Sequence, residues 1–259
     1  MMIEVLTNLK LIFFIVFFIV FMILENYFSQ RNTKGKMKRL FFHVTIAVIN
    51  TVIMRVFVIF LLIPVMMITN ENQYGLLNTI EYNFFLEALL GFLLLDLAFY
   101  WFHRISHTWD FLWRFHGMHH LDTQMDVTTS LRFHIGELLI SAFFKAVLII
   151  TLGLPISVFI FYEIILTASA QFHHSDLRLP ESLDSKISKI IVTPKYHTNH
   201  HTVAKLSRNA NYASIFTIWD YVFFTYRNAT VTEREYLGVE DRSKEFGFID
   251  NIKYPLRKL

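Results

Sequence analysis

Eight histidines fall into three groups along the chain: His103 and His107; His116, His119 and His120; His197, His200 and His201. Residues three and four apart share a face of an α-helix, so each group aims two or three imidazoles into one volume. A neutral imidazole suits iron, zinc, copper or nickel, and eight such rings exceed what one ion takes. Two metal ions are therefore expected. The first two groups lie between His103 and His120, directly after an apolar run. There an imidazole without a partner costs free energy to bury and packs no better than leucine. An isolated histidine such as His43 is instead expected to be a hydrogen-bonded core residue.

Composition narrows the remaining chemistry. The chain has no cysteine, which excludes disulfides, thiolate-held zinc and thiolate-held iron–sulfur clusters, so any metal rests on His, Asp and Glu. No Gly-rich dinucleotide fingerprint is present. The net charge is only +3, and the basic residues form short scattered groups without the basic face that a phosphate backbone requires; nucleic acid is not an expected partner. Charged residues make up 17% of 259 and phenylalanines number 28, a composition that belongs in a membrane.

The elements that must position these rings are accordingly apolar helices. Leu11 to Leu24 is uninterrupted apolar sequence and, extended by Val5 to Leu9, reaches the length of a bilayer core. It reads as a first span; a signal peptide is the alternative, but the segment lacks a basic start before Lys10 and a small-residue cleavage site. Phe41 to Ile68, kinked or ended by Pro64, and Tyr82 to Phe102 follow. Leu138 to Gln171, divided by Gly153 and Pro155, reads as a helical hairpin that either spans or is re-entrant. Residues 31 to 40 carry Arg31, Lys34, Lys36, Lys38 and Arg39, whereas residues 69 to 81 carry no lysine or arginine; the positive-inside rule puts the former, and with them His120 and the C-terminal region, in the cytoplasm. Two further charges, Arg55 and Lys145, fall within spans: Lys145 is expected to snorkel, Arg55 to need a polar partner or a tilt. The expected fold is thus all-α, an integral membrane bundle of about four to five helices under a His-rich cytosolic cap. Its divisions are N-terminal membrane helices over 1–81, a catalytic region over 82–230 and a C-terminal tail over 231–259.

The histidine groups also carry a resemblance. HRISH, HGMHH and HTNHH are similar to the HxxxH, HxxHH and HxxHH boxes of the fatty acid hydroxylase and sterol desaturase superfamily. Their flanks agree over roughly Gly91 to Tyr226: DLAFYWFHR, LWRFHGMHH, MDVTTSLRFH, FHHS, TPKYHTNHH, NYAS and WDYVFFTY. Ile135 and Ala213 stand where relatives often have proline and glycine, which bears on substrate branch and leaves the boxes intact. The short gap between the first two boxes, Thr108 to Phe115, resembles the sterol and lipid hydroxylase branch. What the resemblance implies is a non-haem di-iron centre held by the eight box histidines, with extra histidines recruited to complete the set. His173, at the end of the hairpin, is the first candidate; His134, three residues before Glu137, is the second; His174 is expected to be structural. A ligating imidazole usually donates its other N–H to a carboxylate or carbonyl. Asp96, Asp126 and Glu137 are the candidates for this role, Asp96 either holding His103 from two turns back or pairing with Tyr100.

The function so implied is O₂-dependent hydroxylation or desaturation of a lipid or sterol-like substrate, with no catalytic side chain beyond the metal centre. Electrons must come from a separate reductase, ferredoxin or cytochrome. Zinc can take the place of iron in purified protein, since nitrogen sites bind it more tightly than ferrous iron, so zinc there does not count against the oxidase reading. Two alternatives belong to other classes. A His-rich metal transporter or metal-binding membrane protein would distribute its ligands through the spans; a zinc hydrolase would need only three ligands, an open position and a carboxylate base.

Overall fold

Asn83 and Thr193 open the two helices that deliver the first and third histidine groups, and each does so by turning its side-chain oxygen back onto a free backbone N–H. Asn83 accepts from Leu86 N at 2.9 Å and Thr193 from Tyr196 N at 3.3 Å. The computed structural model in which these caps are seen describes residues 2–31, 33–79, 83–239 and 247–257, with side chains from residue 8 onward. The expected boundary between residues 81 and 82 lies outside the described residues. Seven longer helices carry the fold: α1 (Met2–Tyr27), α2 (Lys36–Phe57), α3 (Ile63–Asn72), α4 (Phe84–Thr108), α5 (Asp110–His120), α6 (Ile135–Leu152) and α7 (Ile156–His174). Among the described residues, β pairing is limited to isolated bridges. Five stretches are long and apolar enough to cross a membrane: Asn8–Tyr27, Lys36–Thr79, Phe84–Thr108, Ile135–Leu152 and Ile156–His174. The protein is therefore an all-α, multi-pass membrane bundle.

At Pro64, expected to kink or end the second segment, the α-helical register is interrupted, and the interruption has a local cause. Proline has no N–H to give and its ring crowds the carbonyl four residues back, so the helix widens to a π-turn over Val58–Leu62 immediately before it. α6 and α7 form the expected hairpin, with Gly153 in the left-handed conformation at φ +72 and Pro155 starting the return helix. The turn packs against the α3–α4 connection so closely that a Cβ on Gly75 would meet Gly153 N at 2.1 Å. Each arm is also long and apolar enough to cross a membrane, and their turn reaches the level of the α3–α4 connection. Leu95, Phe99, Ile149, Leu154 and Tyr162, all buried, fill the space between these helices.

At the opposite end the helices enter a polar cap. Two of the five basic residues from Arg31 to Arg39, one before α2 and one on its first turn, are turned inward to hold it. Arg39 reaches Asp122 at 2.5 and 2.8 Å and Asp126 at 2.7 Å, while Arg31 donates to Thr198 at 2.9 Å and pairs with Asp176 at 3.1 Å. Glu25, at the end of α1, accepts from both Val127 N and Asp176 N at 2.9 Å. Residues 247–257 also pack into this cap: Asn251 accepts from Arg132 at 2.6 Å, and the Tyr254 ring lies where a Cβ on Gly117 would be. Arg55, by contrast, is exposed on α2 and makes no ion pair among the described residues.

Candidate metal centre

A single extended residue, Trp109, separates α4 from α5 and folds the second histidine group back over the first. A short helix over Pro194–His200, α8 in this numbering, brings the third group to the same place. The result is two sets of converging ring nitrogens. His103, His107, His116, His120 and His200 form one; His119, His174, His197 and His201 form the other, and within each set the nitrogens lie within 4.8 Å of one another. Every i, i+4 pair stays together: His103 with His107, His116 with His120, His197 with His201. Adjacent histidines do the opposite. Successive residues on a helix point about 100° apart, so His119 and His120 part company between the sets, as do His200 and His201, with ring centres 5.4 and 5.5 Å apart. The doubled histidine of the second and third boxes is what lets each of those segments serve both sets.

The backbone fixes which nitrogen faces inward. Nδ1 of His103 lies 2.8 Å from Tyr212 O, that of His200 2.7 Å from Ala210 O, that of His119 3.2 Å from Arg132 O and that of His174 2.7 Å from Ala170 O. A ring that donates from Nδ1 carries a bare lone pair on Nε2 when neutral. His119 and His174 are both so committed, yet their Nε2 atoms are 2.9 Å apart; His197 Nε2 is 3.1 Å from that of His174, and His201 Nε2 3.1 Å from that of His197. Lone pairs pressed together in this way repel unless a cation lies among them. Metal–nitrogen bonds of about 2.0–2.1 Å hold adjacent donors on one ion roughly 3 Å apart, so the spacing fits a metal. In the five-histidine set, His120 and His116 have Nε2 atoms 3.2 Å apart, and neither nitrogen of buried His107 has a hydrogen-bond partner.

Burial pushes His119, His120, His197, His200 and His201 well below the ordinary imidazole pKa, and the neighbouring rings add to the effect. The folded protein therefore holds these rings neutral, whereas the unfolded chain takes up protons near pH 6.5. Their contribution to stability is full above that pH and is lost as pH falls. The metal-free protein is expected to melt progressively lower, in a detergent-solubilised thermal scan, as pH drops from about 7.5 to about 5.5. A melting temperature flat across that window would contradict neutral rings.

Of the ten histidines expected to ligate, the eight of the boxes are brought together and two are not. His134 caps α6, accepting from Gly136 N at 2.9 Å, and its other nitrogen faces Ile252 O at 3.1 Å. His173 is buried beside His197, with ring centres 4.1 Å apart, but belongs to neither set. His174, expected to be structural, takes the inward position because it shares a helical face with Ala170, Thr167 and Glu163, which line the same cavity. Of the three carboxylates, Glu137 does hold a box histidine, with Oε1 2.8 Å from His116 Nδ1. Asp96 holds neither His103 nor Tyr100; it accepts from Trp219 Nε1 at 2.7 Å and Phe216 N at 3.2 Å, pinning α4 to the cap. Asp126 binds Arg39 and caps the 3-10 turn Val127–Leu131. His43 is buried and bonds Thr128 Oγ1 at 2.7 Å.

One positioning group escaped the sequence reading. Asp220 is fully buried and accepts from Tyr212 N at 2.8 Å, Ala213 N at 2.9 Å, Thr225 Oγ1 at 2.7 Å and Tyr196 Oη at 2.9 Å. It thereby fixes the turn whose Ala210 and Tyr212 carbonyls orient His200 and His103. Asn211, between them, has φ +57, a left-handed conformation that Asn tolerates. The only prior signal was its place in the WDYVFFTY flank.

A cavity of about 260 Å³ opens from the two sets into the bundle. His103, His116, His119 and His174 are at one end, and Phe102, Phe133, Leu138 and Leu166 make its walls.

Comparison with known proteins agrees with this arrangement. Residues 88–225 match the model of a family described as fatty acid hydroxylase. An ornithine lipid hydroxylase of Rhizobium tropici is 24% identical over 172 residues, 66% of this chain and 51% of that protein. An alkylglycerol monooxygenase of Danio rerio is 33% identical over 137 residues, 53% of this chain and 30% of that protein. A very-long-chain aldehyde decarbonylase of Oryza sativa is 29% identical over 152 residues, 58% of this chain and 56% of that protein. The matched part is thus about half of the first relative's length and less than a third of the second's. No solved structure matches significantly.

Proposed function

The chain belongs to the fatty acid hydroxylase family, and from that premise we propose that it is a membrane-embedded, O₂-dependent oxidoreductase that hydroxylates a lipid at a pair of iron ions. The observation that carries this reading is the convergence of nine imidazoles into two adjoining sets at the head of an apolar cavity. Rings whose nitrogens converge on one another are placed to share a metal ion and not to attack a substrate, so the evident use of the site is to hold a redox metal. Bound iron supplies the means to reduce O₂ and to oxidise an unactivated C–H bond.

The rest is the work of the chain's own residues. Five and four ring nitrogens would serve as the two ligand sets, and the carbonyls of Tyr212, Ala210, Arg132 and Ala170, with the Glu137 carboxylate, hold five of the rings in orientation for it. Phe102, Phe133, Leu138 and Leu166 confine an apolar chain beneath the metals and keep bulk water from it. Residues 82–230 are the catalytic unit, facing the cytoplasm on the side of the basic α1–α2 loop. Reducing electrons come from a separate reductase, ferredoxin or cytochrome. The relatives' printed names concern an ornithine lipid, alkylglycerols and aldehydes, which agrees with a lipid substrate here without selecting one.

The decisive experiment supplies ¹⁸O₂ and reductant to membranes containing the protein and compares their lipids with those of membranes carrying a His119→Ala chain. The expected result is a hydroxylated lipid labelled from the gas and absent from the variant. Label taken from water, with turnover in the absence of O₂ and reductant, would refute the oxidase and favour a zinc hydrolase. A new double bond without label would move the reaction to desaturation.

A further inference from the structure

The far end of the cavity is charged. Glu163 on α7 receives two ammonium groups: Lys145 of α6 at 2.9 Å and Lys10 of α1 at 2.7 Å. Lys145, expected to snorkel away, is instead turned inward; it lines the cavity together with Glu163 and lies 5.5 Å from the Phe99 ring centre. Charges at such depth are expensive, and in membrane proteins they commonly mark the path of a substrate or ion. If the cluster only tied three helices together, one lysine per carboxylate would cancel the charge. Here two cations share one anion, which leaves a net positive charge beside an apolar cavity. An ammonium has three N–H donors, and Glu163 is the only oxygen partner of Lys145 among the described residues. Lys10 meets Glu163 from outside the cavity lining, so the carboxylate is shared while Lys145, with donors to spare, faces the cavity; the other lining carboxylate, Glu137, is at the histidine end against His116.

We propose that Lys145, backed by Glu163 and Lys10, binds the anionic terminus of the substrate, a carboxylate or phosphate monoester at the end of an apolar chain. This rests on the oxidase reading for the word substrate, but the binding itself does not depend on it. The position also fixes where oxidation falls. Lys145 lies eight residues along α6 from Glu137, and Glu163 eleven along α7 from His174, which are axial distances of about 12 Å and about 16 Å. The oxidised carbon is therefore remote from the anionic group, well along the chain.

The test measures binding to the purified, metal-loaded full chain in a neutral detergent, by displacement of a fluorescent fatty acid, with dodecanoate, dodecyl phosphate, dodecanol and dodecylamine as competitors. In the unmodified protein at least one anion is expected to bind about tenfold or more tightly than the alcohol, and the amine no better than the alcohol. Which anion wins identifies the terminus. Lys145→Met should bring anion and alcohol to within about twofold of each other, and Glu163→Gln should strengthen anion binding, because it removes the competing negative charge. Equal affinities across the four ligands in the unmodified protein would overturn the proposal, as would unchanged discrimination in both variants. Because metal content and ¹⁸O incorporation are measured separately, failure here leaves the oxidase standing, and failure of the oxidase leaves this binding result intact.

Discussion

Replacing His174 by alanine is expected to strip the metal from the four-histidine set and to abolish turnover, while His173→Ala and His134→Ala keep the full metal content. His174 holds Nδ1 on Ala170 O at 2.7 Å and presents Nε2 at 2.9 and 3.1 Å from those of His119 and His197. Its loss removes one of four donors. Changes that merely loosen a ligand cost about 10–100-fold in metal affinity or activity, and removal of the ligand itself is expected to exceed that. His173 offers no nitrogen to either set. His134 is a helix cap whose loss costs about 1 kcal/mol of stability and no ligand. Metal-to-protein ratios of the three purified variants decide the matter. Full metal in the His174 variant with loss in the His173 variant would reverse the assignment of these neighbours.

That pair also marks where the sequence stops being legible. The three boxes could be read because i, i+4 spacing on a helix means the same thing in any context: His103 and His107 share a face whatever packs around them. The choice between adjacent residues depends on the rotation of α7 about its axis, which tertiary packing sets. A hint existed in the polar series Glu163, Thr167 and His174, which repeats at helical intervals along an otherwise apolar segment. The hairpin, the interruption at Pro64 and the number of apolar helices were legible for a similar reason, since each follows from local composition and chain stereochemistry. Asp96 was misjudged because its partners, Trp219 and Phe216, lie more than a hundred residues away and only the fold brings them together. Arg31 and Arg39 were read only as a topology signal. Their buried pairing with Asp176, Asp122 and Asp126 is long-range too, and it ties the first two helices to the cap that holds the histidines.

Asp220 is the group through which the largest effect without loss of a ligand is expected. It makes no contact with either histidine set, yet the turn it holds supplies the carbonyls behind both His200 and His103, and both belong to the five-histidine set. Asp220→Asn keeps the size of the side chain but leaves one accepting oxygen where two now receive four donors. At least one buried backbone N–H, of Tyr212 or Ala213, then goes unmatched at a cost of about 1–3 kcal/mol. As the turn relaxes, two rings lose their fixed orientation together, and metal affinity at that set should fall about 10–100-fold. A merely structural role would weaken both sets alike, so the discriminating readout is metal stoichiometry with spectroscopy of the remaining ion. Asp220→Asn is expected to retain metal in the four-histidine set with an unchanged signature. Tyr196→Phe removes a donor to the same carboxylate without touching the turn; it should lower the melting temperature slightly and keep both metals. If Asp220→Asn lost metal from both sets equally, or if Tyr196→Phe lost as much as it did, Asp220 would be a fold-stabilising residue with no particular hold on one metal.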